Sequence, residues 1–317
     1  MNKTAVLLLN TGTPSACTLP EVKRYLTEFL MDERIIDMPF WRREILVKWC
    51  IVPFRYKKSA RAYAKIWTEE GSPLLVHSKK LAASLEFDTV LGLSYSKPSI
   101  GQALDKLKGY HHIVVVPLFP QYASATSGSV LQEVMRHISR WQAIPEISVC
   151  GPFYDNELFI NAWVENARHI QFEAYDNVLF SFHGLPMRQV KKDTTFCYPA
   201  QCAATAKAIA ERLNIPRYTL CYQSRLGRAK WLEPYTQNVI KQERKKGAKK
   251  LLVFAPSFVA DCLETIYEIG MEYREEFLTM GGEALDLVPS LNSSPAWTAA
   301  LTEIIKEKIP QKVSCDV

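Results

Sequence analysis

The chain has 317 residues, of which 48% are hydrophobic and 23% charged, and its formal net charge is +6. This length favours two domains, and the ordinary composition excludes a largely disordered chain. The mild charge does not indicate a nucleic-acid partner, and no apolar run reaches the roughly 20 residues of a spanning helix. The apolar run near the N-terminus is too short for a signal peptide, so we expect a cytoplasmic protein.

Six short runs rich in Val, Ile and Leu recur along the chain, each followed by a turn and a longer segment of helical period. They are residues 5–9, 89–93, 113–116, 178–182, 218–221 and 251–254. Continuous apolar strands of this length are buried on both faces, which indicates parallel sheets covered by helices. We therefore predict an α/β fold of two doubly wound domains, residues 1–150 and 151–317. The turns that follow the strands should converge on one cleft.

Residues 22–49 carry many large apolar side chains, among them Phe29, Trp41 and Trp49, between basic ones. Such a segment can be helical core, a lid over a large flat ligand, or a surface that contacts a membrane. The sequence leaves these alternatives open. It contains neither a G-x-G-x-x-G nor a Walker A sequence, which argues against a nucleotide ligand.

The fourth apolar run closes on Phe182-His183-Gly184-Leu185-Pro186, which places a histidine at the end of a buried strand. A neutral imidazole there can accept a proton near pH 7 or ligate a metal. The structural alternative is a histidine that only satisfies the strand end.

A row of carboxylates follows the sixth apolar run. Glu264, Glu268 and Glu272 are spaced by four residues on one face of a helix that opens just after Asp261. Like charges at this spacing repel by a few tenths of a kcal/mol. A solvated acidic face is the generic explanation, but the preceding strand places Glu264 near the cleft. Carboxylates that run from a cleft toward solvent suit the passage of a divalent cation or of protons.

The eight cysteines are spread along the chain, and Cys197 and Cys202 are the only close pair. A cytosolic protein argues against disulfides, so we expect most of them to be core or surface thiols. A cluster built from Cys197, Cys202, Cys221 and one more cysteine stays open, although the spacing matches no strong metal signature.

Seven strings occur in the order LLLNTGTP, VPLFPQYASATSGS, FSFHGLP, YPAQC, YQSRLG, WLEPYT and FAPSFVADCLETIYEI. In content and order they resemble the ferrochelatases, the terminal enzymes of haem synthesis, in their bacterial form. The resemblance covers nearly the whole chain. It implies a chelatase-type fold of two similar Rossmann-like domains with parallel sheets flanked by helices. A porphyrin would be held in the active-site cleft between them, under the segment 22–49 as a lid, and Fe(II) would be inserted to give haem.

The resemblance also implies roles for single residues. His183 and Glu264 match the metal-site pair of the family and, with Glu268, are the expected catalytic residues. We expect His183 to accept protons, and Glu268, Glu272 and Asp261 to form a secondary metal or proton relay. The matching porphyrin-binding positions are Arg55, Lys58, Tyr63, Ser72, Tyr95, Ser224 and Phe258. Among them Arg55 and Lys58 can supply charge-assisted bonds to the propionates.

Substrates and partners follow from the same resemblance. No cofactor is required for catalysis, because Fe(II) is itself a substrate together with the porphyrin. Near the C-terminus only Cys315 remains of the cysteines that bind an iron–sulfur cluster in animal forms, and Ser124 replaces another ligand, so we expect no such cluster. We expect no nucleic-acid partner, while a peripheral contact with the inner membrane and the identity of the iron donor stay open.

Three features bear on the substrate and on competing functions. The DCLET string is similar to Gram-negative enzymes, which use protoporphyrin IX, so we predict protohaem formation, with coproporphyrin III as the alternative substrate. Cys262 replaces a histidine of the animal relatives, which leaves no second imidazole beside Glu264. Nickel or cobalt chelatases commonly carry additional histidines at the metal position, and a non-catalytic haem carrier would not need the carboxylate row.

Overall fold

The computed structural model describes residues 3–227 and 229–310. The described residues form two parallel four-stranded sheets flanked by helices, which confirms the predicted fold class. The strands are β1 Thr4–Asn10, β2 Thr89–Leu93, β3 His112–Pro117, β4 Glu146–Val149, β5 Asn177–His183, β6 Tyr218–Gln223, β7 Lys250–Phe254 and β8 Ala284–Leu287. The strand order is β2-β1-β3-β4 in the first sheet and β6-β5-β7-β8 in the second, so the two halves repeat one topology.

Helices connect the strands. The α-helices are α1 Leu19–Leu30, α2 Phe40–Ile45, α3 Val52–Ile66, α4 Pro73–Ser84, α5 Ile100–Asp105, α6 Ser129–Ile138, α7 Glu157–Ala167, α8 Met187–Lys192, α9 Tyr198–Arg212, α10 Thr236–Lys245, α11 Arg274–Thr279 and α12 Pro295–Lys306. The π-helices are π1 Leu46–Ile51, π2 Ser124–Gly128 and π3 Leu263–Tyr273, and a short 3₁₀ turn covers Phe172–Ala174.

The six predicted apolar runs all lie in strands. The central strands β1, β3, β5 and β7 are buried on both faces, as is typical of parallel strands. The edge strands β4 and β8 were not predicted. Their residues are mostly half-buried, so they lack a continuous apolar run. The domain boundary near residue 150 stays a prediction.

Alternate residues of the central strands face different cores. In β1, Leu7 packs with α5 and α6, whereas Leu8 joins a cluster that also contains Phe180 of β5. The opposite face of β5, with Leu179, packs against α10, π3 and α11. The shared cluster places side chains from both sheets in one continuous core, which fixes the two strand-end surfaces relative to each other.

The strand-end loops of the two sheets meet, as the sequence predicted. Ser257 follows β7, and Gln121 follows β3. The Ser257 hydroxyl donates a hydrogen bond to Gln121 Oε1 at 3.2 Å. Residues 19–66 form a covering segment, in which Val22, Tyr25 and Tyr63 pack with Leu263, Ile266 and Tyr267 of π3. Within the described residues, no helix is long and apolar enough to cross a membrane.

We predict that Phe254→Ala lowers the free energy of unfolding by about 3–5 kcal/mol. Phe254 is fully buried, and its ring stacks on Phe180 with centroids 4.9 Å apart. Phe54→Ala is the matched control, because Phe54 is 80% exposed, and it should change stability by less than about 0.5 kcal/mol. Urea unfolding of both variants checks this, and equal losses would contradict the assigned core.

Candidate active site

His183 ends β5 with its imidazole half-buried. Its Nδ1 lies 2.7 Å from the carbonyl oxygen of Gly184. A carbonyl can only accept, so Nδ1 carries the hydrogen and the neutral ring keeps its lone pair on Nε2. The His183 carbonyl accepts from the Tyr198 hydroxyl at 2.8 Å, and the Phe258 ring centroid lies 6.2 Å from the imidazole. The histidine is thus held in one tautomer with a basic nitrogen available.

Gly184 is required by the close approach of two backbones. Its N–H donates to the Gln223 carbonyl at 2.9 Å. A Cβ on residue 184 would lie 2.7 Å from that same carbonyl oxygen and 3.3 Å from the Trp231 ring. Any side chain here would therefore push the end of β5 away from β6, and with it His183.

The predicted helix after Asp261 is present, but it is the π-helix π3 rather than an α-helix. A π-helix closes its hydrogen bonds from i to i+5, so its turn contains more residues than the 3.6 of an α-helix. Residues four apart then stay close to one face of the helix. The spacing of Glu264, Glu268 and Glu272 suits this wider turn.

Glu264 lies half-buried in the first turn of π3, under the covering segment. Its backbone carbonyl accepts from Gln223 Nε2 at 3.0 Å. Burial and, to a lesser degree, the Glu264 charge raise the pKa of the Tyr25 hydroxyl. Burial raises the pKa of Tyr63, a predicted porphyrin-binding residue, and the neighbouring Tyr25 and Glu264 add to this. The two phenols therefore lie within electrostatic reach of Glu264.

Glu268 accepts four hydrogen bonds. Its oxygens accept from Ser224 N at 2.9 Å, Ser224 Oγ at 2.6 Å, Gln223 Nε2 at 3.1 Å and the Tyr273 hydroxyl at 2.7 Å. These bonds hold Ser224, another predicted porphyrin-binding residue, in a left-handed conformation with φ of 64°. A carboxylate has about four lone-pair positions, so this one is fully occupied.

The remaining acidic candidates are engaged elsewhere. Glu272 pairs with Lys58 Nζ at 2.9 Å, and this hydrogen bond raises the pKa of Lys58. Asp261 accepts from Thr265 Oγ1 at 3.0 Å and from Asn292 Nδ2 at 2.8 Å, which ties the start of π3 to a neighbouring loop. Their relay roles stay predictions.

Four other predicted porphyrin-binding residues lie in the first half of the chain. Tyr63 and Tyr95 belong to one cluster with Leu263, Ile266 and Tyr267 of π3. The Tyr95 hydroxyl donates to Asp32 Oδ2 at 2.6 Å, and Ser72 accepts from Thr13 Oγ1 at 2.8 Å. Arg55 is exposed on α3, one helical turn before Lys58.

The structure therefore brings together three pairs of candidates: His183 with Phe258, Glu268 with Ser224, and Glu272 with Lys58. Gln223 and Tyr273 complete the site and were not predicted. The YQSRLG string contains Gln223, but nothing in one sequence shows its contact with a helix about 40 residues away.

The cluster of Cys197, Cys202 and Cys221 was an open alternative to the expected core or surface thiols. Cys202 and Cys221 are buried, whereas Cys197 is exposed, and Cys315 lies outside the described residues. Among residues 3–227 and 229–310, no three His, Cys, Asp or Glu side chains are grouped to hold a metal ion.

Comparison with known proteins identifies similar sequences. The sequence model of the family described as Ferrochelatase matches residues 3–309. A ferrochelatase of Legionella pneumophila (strain Philadelphia 1) is 41% identical, over 96% of this chain and 98% of that protein. One of Pseudomonas aeruginosa (strain PAO1) is 40% identical, over 96% and 98%. The solved structure of SirB from Bacillus subtilis with Fe3+ superposes with a TM-score of 0.56 at 15% identity, over 96% and 95%, which shows the fold.

We predict that Glu268→Gln lowers the free energy of unfolding by about 2–3 kcal/mol, because hydrogen bonds to a charged group are lost and an amide hydrogen faces a donor. Glu272→Gln is the matched control. It breaks only an ion pair in which Lys58 is 72% exposed, so it should cost less than about 1 kcal/mol. Chemical denaturation at pH 7 measures both, and the reverse order would refute the four-bond geometry.

Proposed function

The chain belongs to the ferrochelatase family, and we propose that it inserts ferrous iron into protoporphyrin IX, with His183 and Glu264 as the metal-site pair. The overall reaction consumes the free-base porphyrin and Fe(II) and yields protohaem and two protons. This makes the enzyme a lyase. The observation that carries the site assignment is the Nε2 lone pair of His183, which the Nδ1 bond to Gly184 fixes at the end of β5.

His183 has the chemistry of the proton acceptor. Two pyrrole protons must leave before all four porphyrin nitrogens can bind iron. The lone pairs of these nitrogens point into the ring plane. Bending the macrocycle exposes these nitrogens. An imidazole with a free Nε2 can then accept a pyrrole proton.

Glu264 supplies the carboxylate of the pair, and Glu268 with Glu272 and Asp261 forms the proposed relay. Carboxylate oxygens bind hydrated divalent iron and also accept protons. Glu268 must release one of its four donors before it can take a proton. Within the carboxylate row, Glu264 therefore acts before Glu268, after His183 has accepted the pyrrole proton.

Cationic side chains at the edge of the cleft fit the porphyrin propionates. Arg55 and Lys58 can donate charge-assisted hydrogen bonds to carboxylates. Lys58 already bonds the Glu272 carboxylate, so a propionate would replace one carboxylate partner by another. Tyr63, Tyr95, Ser72, Ser224 and Phe258 complete the proposed porphyrin site.

Replacement of His183 by alanine tests the function. We predict that anaerobic metallation of protoporphyrin IX by Fe(II) falls by about 10²-fold or more, since a general base contributes that much. His137→Ala is the control, because His137 is a half-buried histidine on α6, outside the proposed site. Faster metallation of coproporphyrin III than of protoporphyrin IX would identify coproporphyrin III as the substrate. Tight haem binding without metallation of either porphyrin would favour a carrier.

We also propose that the middle of the covering segment, residues 40–57, contacts the membrane surface. Phe40, Trp41, Trp49 and Phe54 are 61%, 59%, 73% and 80% exposed. The exposed cations Arg42, Lys48 and Lys57 lie among them. Exposed aromatic side chains mixed with basic ones are the composition of helices that lie in the interface of an anionic bilayer.

We predict that the protein co-sediments with vesicles of anionic phospholipid and that Trp49→Ser with Phe54→Ser weakens binding by at least about tenfold. Burying one large apolar side chain contributes about 1.5–3 kcal/mol, and 1.4 kcal/mol is a factor of ten. Ile144→Ser is the control, because Ile144 is 62% exposed outside this segment. Equal binding by both variants would reject the membrane contact.

A further inference from the structure

Gln223 connects the strand that carries His183 with the helix that carries Glu264. It is the last residue of β6 and only 2% exposed. Its Nε2 donates to the Glu264 carbonyl at 3.0 Å and to Glu268 Oε2 at 3.1 Å. Its Oε1 accepts from Ser181 Oγ of β5 at 2.8 Å. One buried amide thus bonds two elements at once.

The partners fix the orientation of this amide. A backbone carbonyl and a carboxylate can only accept, so both amide hydrogens must point at π3. Oε1 must then face Ser181, whose hydroxyl hydrogen is used in that bond. Thr236 Oγ1, 2.8 Å from Ser181 Oγ, donates in turn to Ser181. Every hydrogen of the network has one place, which leaves no alternative rotamer of the amide that keeps the bonds.

The backbone of Gln223 completes the link. His183 pairs with Gln223 in the register between β5 and β6, and Gly184 N–H donates to the Gln223 carbonyl at 2.9 Å. The main chain of residue 223 therefore sets the end of β5, while its side chain sets the first turn of π3. A shift of either element changes the relation between His183 and Glu264.

We infer that Gln223 is a positioning residue for metal insertion, which holds Glu264 and Glu268 in place relative to His183. This inference rests on the proposed function. Gln223 acts through its neighbours: its amide hydrogens bond the Glu264 backbone and the Glu268 carboxylate rather than the substrates. Residues that orient the groups around a metal typically contribute about 10–100-fold to activity.

The test is Gln223→Met, which keeps the length of the side chain and removes both donors. We expect kcat for insertion of Fe(II) and of Zn(II) to fall by about 10–100-fold. The dissociation constant of metal-free protoporphyrin IX, measured by fluorescence, should stay within about twofold of wild type. Asn177→Leu is the matched control. It removes a buried amide that bonds Thr219 across the same two strands, at their opposite end from His183, and it should keep the wild-type kcat.

A double-mutant cycle separates positioning from simple destabilisation. Groups that act as a unit are strongly non-additive. In a Glu264→Gln background, Gln223→Met should therefore lower the single-turnover rate constant of insertion by only about twofold. A factor of about two is the usual deviation from additivity between independent sites. Full multiplication of the two losses, or an equal loss in Asn177→Leu, would overturn the inference.

Ser181→Ala serves if Gln223→Met does not fold. It removes only the hydroxyl that orients the amide, and it should lower kcat less than Gln223→Met without changing porphyrin binding. A wild-type kcat in Ser181→Ala, at unchanged thermal stability, would overturn the inference. Failure of the wild-type protein to metallate either porphyrin would instead refute the proposed function.

Discussion

The site depends on keeping charged carboxylates inside a partly closed cleft. A carboxylate that leaves water loses several kcal/mol unless hydrogen bonds replace its hydration. Glu268 meets this cost with four donors from β6, the loop after it and π3 itself. Because three of those donors belong to Gln223 and Ser224, stabilising this half-buried charge creates a rigid connection between β6 and π3. The helix that carries Glu264 cannot then move independently of the strand beside His183.

Two copies of one topology perform different tasks in this chain. Both sheets have the same strand order, and both end their first strand in a turn that contains glycine. In the first half, Gly12 adopts a φ of 96°, and its carbonyl accepts a hydrogen bond from the Tyr25 hydroxyl of the covering segment. In the second half, Gly184 instead lets the backbones of β5 and β6 approach beside His183. The first turn thus anchors the covering segment, and the second positions the His183 imidazole.

The sequence predicted those parts of the fold that local patterns determine. Central strands are continuous apolar runs, so β1, β3, β5 and β7 could be recognised, whereas the half-buried β4 and β8 could not. The row of glutamates predicted a helix, but the choice between i+4 and i+5 bonds is not encoded in residue types alone. It depends on tertiary bonds such as the one from Gln223 to the Glu264 carbonyl. Partners 40 or more residues apart, such as Gln223 and Glu264, cannot be paired until the fold is known.

The turn after His183 leads into α8, which contacts the covering segment. Gln189 of α8, six residues beyond His183, donates to the carbonyls of Arg34 and Ile35 at 3.1 and 3.0 Å. These carbonyls belong to the loop between α1 and α2, and α2 then begins with the exposed Phe40 and Trp41. The end of β5 is therefore linked to π3 by the hydrogen bonds of Gln223. It is linked to the covering segment by those of Gln189 in α8. The position of His183 therefore depends on π3 and on the covering segment together.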